Sequence, residues 1–450
     1  MIKCLKLKTY VNNKSLFIAI LALALSAVTV SANESAKVEN NTPIKVEIKK
    51  NGNAYQLYRD GKPYEIKGAG LEFGDMKSFA EHGGNSIRNW TTDNGVESTL
   101  DILDRALANN VTVALCLSMG KERWGFDYND KEAVAKQLQK VREEVLKYRN
   151  HPALLAWIIG NELNLSYTNS KVYDAVNDVS KMIHEIDPYH PTTTTTAGLD
   201  NKVLHDLTTR ASDLDFVSFQ VYGELAILPD FIEENAYKKP FAVTEWGAIG
   251  YWEMEKTSWG APYEMHSTAK AKVFLEGYLN KLKPLSNQLI GSYVFLWGQK
   301  QERTPTWFGL FTEAGDKTEA VDVMHYIWNG KWPDNRAPQL RSIHLDGKIV
   351  SDNITLQPGQ DYIADVDAYD YENDKLSYSW LVKPESQTDL VGGDFEKSIN
   401  NLKSSVKSPT VKQTIITAAK EPGAYRLFVY AYDGKGHTAH ANIPFFVKEK

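Results

Sequence analysis

The feature that most limits the fold is an eightfold alternation of short apolar runs with helical periods between Glu65 and Trp328. The runs are Glu65–Gly70, Asn85–Trp90, Val111–Leu117, Leu154–Gly160, Thr192–Thr196, Phe216–Tyr222, Phe241–Glu245 and Gly291–Trp297. Between them Val96, Leu100, Leu103 and Leu107, then Val134, Leu138, Val141 and Val145, fall at the i, i+3, i+4, i+7 spacing of a buried helix face. Lys317–Trp328 supplies the eighth helix. Repeated βα units of this kind build parallel sheets. No run leads into a Gly-rich phosphate turn, so a closed (β/α)8 TIM barrel is expected over an open doubly wound sheet.

The chain's start reads as an export signal. Lysines at 3, 6, 8 and 14 precede an apolar run from Leu16 to Val30, and Val30-Ser31-Ala32 offers a cleavage site, so residues 1–32 are expected to be removed. The run is short for a membrane span. A secreted or periplasmic protein is expected, with no membrane partner after cleavage. Residues 1–32 hold four lysines and no acid, so their loss takes the formal charge from −6 to −10. An acidic surface argues against nucleic acid as a partner. Cys116 remains the one cysteine of the mature chain and lies inside an apolar run, where a buried inert thiol is expected.

About 418 mature residues exceed one core, and a seam is visible at the polar, Pro-containing stretch Asn329–Pro338. The expected organisation is a signal peptide (1–32), an N-terminal extension with a β-hairpin about Asn51-Gly52 (33–63), the barrel (64–334) and a small, immunoglobulin-like antiparallel β-sandwich (335–450). The hairpin has two candidate places, the barrel's bottom or the second domain. In the sandwich the alternating segments are Tyr362–Ala368, Leu376–Val382 and Tyr425–Tyr432, with Trp380 as a core residue.

In a TIM barrel reactive side chains stand where strands end and βα loops begin. Two acids are so placed: Glu162, delivered with Asn161 by the apolar run ending at Gly160, and Glu245, closing Phe241–Glu245. Breaking a glycosidic bond requires a proton donor to the leaving oxygen and a carboxylate under the anomeric carbon, and two rim glutamates provide both. The competing reading is that each merely meets the positive end of a helix. A pair, each ending a strongly apolar strand, favours the chemical reading.

These residues also carry a resemblance. Asp60-Gly61-Lys62-Pro63 leading to Lys67-Gly68, then Gly84-Asn85-Ser86-Ile87-Arg88, Trp157 to Asn161-Glu162, and Thr244-Glu245-Trp246-Gly247 resemble the catalytic barrel of family 2 glycoside hydrolases, over roughly Gly61 to Trp332. The resemblance implies a retaining β-glycosidase acting by double displacement, with Glu162 as acid/base, Glu245 as nucleophile and Asn161 bonding the sugar 2-hydroxyl. Arg88 would hold the nucleophile ionised, or else form a structural ion pair, which reads the same in sequence. Tyr222 would donate its hydroxyl to Glu245, or else form a wall. Trp297 resembles the aromatic floor under the cleaved sugar, and Trp246 and Trp124 are candidate stacking rings. The sandwich resembles polycystic-kidney-type and cadherin-like modules in Asp367–Leu376, whose acids form either a calcium site or, preferred here, a surface turn.

The partner expected is a β-linked polysaccharide or oligosaccharide. Family 2 enzymes usually carry two domains before the barrel, and only about 30 mature residues stand there in this sequence. An open cleft and endo action on a β-glucan are therefore favoured. A transglycosylase with the same residues and a catalytically silent carbohydrate-binding barrel are the alternatives. The ten histidines form no His-x-His or His-Glu-x-x-His pattern, so no metal and no cofactor are expected.

Overall fold

The loop Gly52-Asn53 joins β1 (Val46–Asn51) to β2 (Ala54–Arg59) in an antiparallel hairpin, with Gly52 in the left-handed region at φ +62° that favours glycine. β3 (Lys62–Pro63) adds to its edge. The computed structural model describes residues 42–92, 94–389 and 391–449, and the expected signal peptide lies outside them. Residues 41–450 form one compact unit. Val46 and Leu57 of the hairpin pack on Leu155, while Ile48 and Tyr55 meet Ala156, Phe216, Ala242 and Ile290. These partners lie at or just before the starts of barrel strands, so the hairpin closes the bottom of the barrel.

The barrel strands are β4 (Ile66–Gly70), β5 (Ser86–Arg88), β6 (Thr112–Leu117), β7 (Leu154–Ile159), β8 (Thr192–Thr193), β9 (Thr195–Ala197), β10 (Val217–Gln220), β11 (Phe241–Trp246) and β12 (Leu289–Val294). Every pairing among them is parallel, in the order β8-β7-β6-β5-β4-β12-β11-β10-β9. β8 and β9 are one strand position interrupted at Thr194, whose hydroxyl donates to the Ile159 carbonyl at 2.6 Å and bridges the gap. Eight positions therefore close the cylinder, as the sequence alternation predicts. The interior is narrow. Ala114, Cys116, Ile158 and Tyr293 fill its lower part, and a Cβ at Gly68 would lie 2.5 Å from the Tyr293 ring and 2.6 Å from the Ser292 carbonyl. Cys116 is fully buried, and burial pushes its thiol up to about 11, so it is inert as expected.

The helices are α1 (Met76–Glu81), α2 (Thr99–Ala108), α3 (Lys131–Tyr148), α4 (Lys171–Ile186), α5 (Asn201–Arg210), α6 (Leu228–Glu234), α7 (Ser267–Gly277) and α8 (Glu319–Asn329). Side-chain caps set several starts: Asp75, Ser98, Asp130 and Asp200 each accept a backbone N–H of the first turn. The Ser98 cap corrects one periodicity reading. α2 begins after it, so Val96 precedes the helix and is 79% exposed, and Leu100 stands on its outer face, leaving Ile102, Leu103 and Ala106 to pack inward. Among the described residues no helix is long and apolar enough to cross a membrane.

Beyond α8 two sheets face each other: β13 (Gln339–Leu345), β15 (Asp361–Tyr369) and β17 (Gln413–Thr417) in one, and β14 (Thr355–Leu356), β16 (Ser377–Pro384), β18 (Gly423–Tyr432) and β19 (Thr438–Val447) in the other. All pairings are antiparallel except the short β14 against β19. Their core holds Leu345, Trp380, Val382, Leu427 and Ile443. The sandwich docks on the barrel through a buried polar network. Glu264 accepts from Lys270 (2.5 Å), Thr304 (2.6 Å) and Thr306 (2.8 Å) of the barrel and from Asn442 (2.6 Å) of β19. Arg426 of β18 forks onto Glu385 with two 2.8 Å bonds and donates to the Pro262 carbonyl at 2.8 Å. Every charge there has a partner, which is the condition for burying it.

Candidate active site

The open end of the barrel gathers the acids that the strand endings predict. After β7 the chain turns through Gly160 (φ +74°) and reaches Glu162 at φ +52°, a left-handed conformation that costs a non-glycine residue about 1 kcal/mol. The Glu162 N–H, donating to the Thr195 hydroxyl at 3.0 Å, holds it there. Glu245 lies within β11 and is 5% exposed. Strand alternation turns its side chain to the barrel axis.

Three donors converge on Glu245. Arg88 forms an ion pair with Oε1, the Trp90 indole donates to Oε1 at 2.7 Å, and the Tyr222 hydroxyl donates to Oε2 at 2.7 Å. That is the hydrogen bonding of a carboxylate, not of an acid. The second arm of Arg88 donates to Asn161 Oδ1 at 2.7 Å, and Gln220 donates to the same oxygen at 2.8 Å. With its oxygen so occupied, Asn161 presents its amide NH2 towards Glu162, 3.4 Å from Oε2. Glu162 receives far less help. Burial first, and then the charge of Glu245, push its carboxyl up to about 8, with Lys121 and Arg88 opposing only in part. One fold thus holds one carboxyl protonated near neutrality beside another that is hydrogen-bonded as an anion.

Around the pair runs a cleft of about 1260 Å3. Glu162, Glu245, Asn161, Tyr222 and Trp124 all line it, and Arg88 lies fully buried behind. Of the residues expected to bind substrate, Trp246 stands elsewhere, and Trp297 borders the cleft without exposed surface. Trp246 follows Glu245 on the strand and therefore points outwards; it is 1% exposed and packs on Phe274 and Tyr278. Trp297 has its ring fully buried among Phe79, Phe311 and Trp328, in the layer between barrel and helices. Phe295, from the same strand end, takes the inward place, against Trp90, Tyr222 and Phe308.

Sequence reasoning missed Trp90 and Gln220. Both were legible by period two: Trp90 stands two residues beyond Arg88, and Gln220 two before Tyr222. Also unforeseen is a segment of the sandwich, Val391 to Glu396, that lines the same cleft.

Asp370, Glu372 and Asp374, inside the acidic stretch of the sandwich, bring carboxylate oxygens within 4.8 Å of one another. Asp370 accepts the backbone N–H groups of Glu372 and Asp374, both at 2.9 Å, and Asp374 pairs with Lys435 at 2.7 Å. The turn is braced by its own N–H groups and a lysine.

No curated protein matches the chain by sequence. Among solved structures it is similar to a Bacteroides uniformis β-glucuronidase 2 (14% identity, 90% of this chain and 48% of that one, TM-score 0.49). It is also similar to a putative β-galactosidase from Bacteroides fragilis (13%, 90% and 58%, 0.47). It is similar too to a family 5 mannosidase from Rhizomucor miehei (16%, 63% and 97%, 0.45). The chain spans about half the length of the first of these. The family model for "Glycosyl hydrolases family 2, TIM barrel domain" matches residues 75–301, just over half of the chain. The chain therefore belongs to glycosyl hydrolase family 2.

Proposed function

We propose that this protein cleaves β-linked glycans with retention of configuration, Glu245 acting as nucleophile and Glu162 as acid/base. The observation that carries the reading is the unequal treatment of the two carboxyls: three donors on Glu245, burial and a neighbouring negative charge on Glu162. Glu162 gives its proton to the glycosidic oxygen as Glu245 attacks the anomeric carbon; the leaving sugar departs and a glycosyl-enzyme ester forms. Glu162, now ionised, takes a proton from water, the water oxygen attacks the same carbon, and the Glu245 carboxylate is released. Arg88 and Tyr222 stabilise the charge on Glu245 before attack and after release, and Asn161 offers its NH2 to the sugar hydroxyl beside the reacting carbon. Endo action on a β-glucan is the reading favoured for the substrate, supported by the cleft's volume of about 1260 Å3 and by the exposed rings of Phe73, Trp124 and Phe395 in its lining.

The test is a panel of aryl β-glucoside, β-galactoside, β-glucuronide and β-mannoside with soluble β-1,3- and β-1,4-glucans, following product size and first-formed anomer. Retained first products and large early fragments are expected. An inverted first product refutes the double displacement, and release of single sugars from chain ends refutes endo action. Glu245→Gln should lower kcat/KM by at least about 10⁴-fold while sugar binding persists; turnover near the parent's level removes Glu245 from the mechanism.

A further inference from the structure

The segment of the sandwich between β16 and β17 is fastened over the barrel's open end. Asp394 takes a two-pronged bond from Arg123 of the barrel, at 3.1 and 2.9 Å. Glu396 accepts the Arg303 backbone N–H at 2.7 Å, and the Gly393 N–H donates to Glu302 at 3.3 Å. Gly392 lies close against Trp252, whose ring would be 3.2 Å from a Cβ there. With the residues on either side tied to the barrel, Phe395 is turned outwards, 86% exposed, in the wall of the cleft. At that exposure packing does not account for it, and exposed apolar rings gathered in one cleft are the kind of patch that marks a binding site.

It is not alone. Trp124 is 66% exposed in the same wall, held by the Lys121 ammonium and the Arg123 guanidinium at 4.9 and 4.6 Å from its ring centre. Arg123 is the residue that grips Asp394, so one cation both touches the Trp124 ring and anchors the residue next to Phe395. Phe73, 64% exposed, lines the cleft too. Charge narrows the ligand. Seven glutamates and Asp394 line the cleft against Lys121, Arg123 and Lys300, which disfavours a polyanion.

We infer that Phe395 and Trp124 form a distal sugar-binding subsite, contributed jointly by sandwich and barrel, for the apolar faces of a neutral β-linked glycan chain running out of the catalytic centre. The occupant follows from continuity, because the two rings share one cleft with Glu162 and Glu245. The inference rests on the glycan-cleaving reading above and assigns the sandwich a part in substrate recognition.

The test measures affinity against chain length in the full-length Glu245→Gln protein, using β-1,3- and β-1,4-linked gluco-oligosaccharides of two and six sugars. The hexamer of one series should bind about tenfold more tightly than its dimer, and Phe395→Ala or Trp124→Ala should cut that gain to about twofold or less. Ile363→Ala, at an exposed sandwich position off the cleft, should preserve it. The same hexamer with its primary alcohols oxidised to carboxylates should bind at least tenfold more weakly. A gain that survives both ring deletions, a hexamer no tighter than the dimer in either series, or tighter binding of the carboxylated chain overturns the inference. Thermal unfolding of each variant identifies any that fails to fold, and the other ring then decides. Hydrolysis by the parent protein is scored separately. Turnover with an unchanged length gain in the ring variants sinks the subsite alone; a lost gain with no turnover on any glycoside sinks the glycosidic mechanism alone.

Discussion

Replacing Glu162 by glutamine keeps its volume and removes its proton, which makes the exchange a test of the environment the barrel imposes. In the unfolded chain this carboxyl ionises near 4.5; in the folded protein burial and the charge of Glu245 hold the proton to about 8. Between those values the unfolded state has lost a proton that the folded state keeps. A raised folded value means that the group's contribution to stability is complete below about pH 4.5, shrinks as pH climbs and is gone above about 8. Glutamine carries no such linkage. At 1.36 kcal/mol for each pH unit, the step from 4.5 to about 8 corresponds to about 5 kcal/mol, and about 2 kcal/mol if water reaches the carboxyl.

Urea unfolding of parent and Glu162→Gln, followed by tryptophan fluorescence from pH 4 to pH 9, should therefore show the variant gaining on the parent by about 2–5 kcal/mol across that range. In a Glu245→Gln background the gain should shrink, because one cause of the shift is removed. The parent's kcat/KM should fall on the alkaline side with an apparent pKa near 8. A stability difference that stays flat with pH, or an alkaline limb below about pH 6, refutes the argument.

Arg88→Lys should lower kcat/KM by about 10²–10³-fold, because a single ammonium cannot reach Glu245 and Asn161 together as the fork does; kinetics on an aryl glycoside check it, and a loss under threefold counts against the bridge. Glu264→Ala should cost about 3–5 kcal/mol at pH 7 by leaving Lys270 buried without its partner, read by denaturant unfolding. Burial raises the Glu264 carboxyl, but the charges of Lys270, His440 and Arg426 outweigh it and bring the group to about 2, so the stability it adds is present above about 4.5 and lost as pH falls towards 2. The gap between parent and this variant should accordingly close on acidification; a gap that persists at pH 2 speaks against it. Gly68→Ala should destabilise by about 1–3 kcal/mol, since Tyr293 and the Ser292 carbonyl occupy the space of a Cβ, and an unchanged Tm contradicts that packing.

The barrel could be read from the sequence because its signals are local and repeated. Each strand is a short apolar run, each helix has a 3.6-residue period, and the rule that reactive groups stand at strand ends then selects Glu162 and Glu245 without any distance being known. The same rule alone misplaced Trp246, because it names a neighbourhood and not a direction. Alternation along β11 supplies the direction for Trp246: if Glu245 faces the axis, its neighbour faces the helices. Applied to Arg88 and Tyr222, it would also have brought in Trp90 and Gln220. Trp297, which lies past the end of β12, borders the cleft, and its packing on Phe79 and Trp328 leaves its ring no exposed surface.

The wall around Phe395 could not be read that way, because nothing local says which surface a connection between β16 and β17 will cover. That depends on how the sandwich docks, which is set by side chains far apart in sequence: Glu264 with Lys270 and Asn442, and Arg426 with Glu385 and the Pro262 carbonyl. Docking fixes the connection's root at β16, and Arg123 and Arg303 then capture Asp394 and Glu396 at its tip. The shape of the cleft is thus a consequence of an interface. Loosening Glu264 should be felt at Phe395 before it is felt at Glu245, because Glu245 is held by barrel residues alone, whereas Phe395 is placed by bonds that the sandwich must reach across to make.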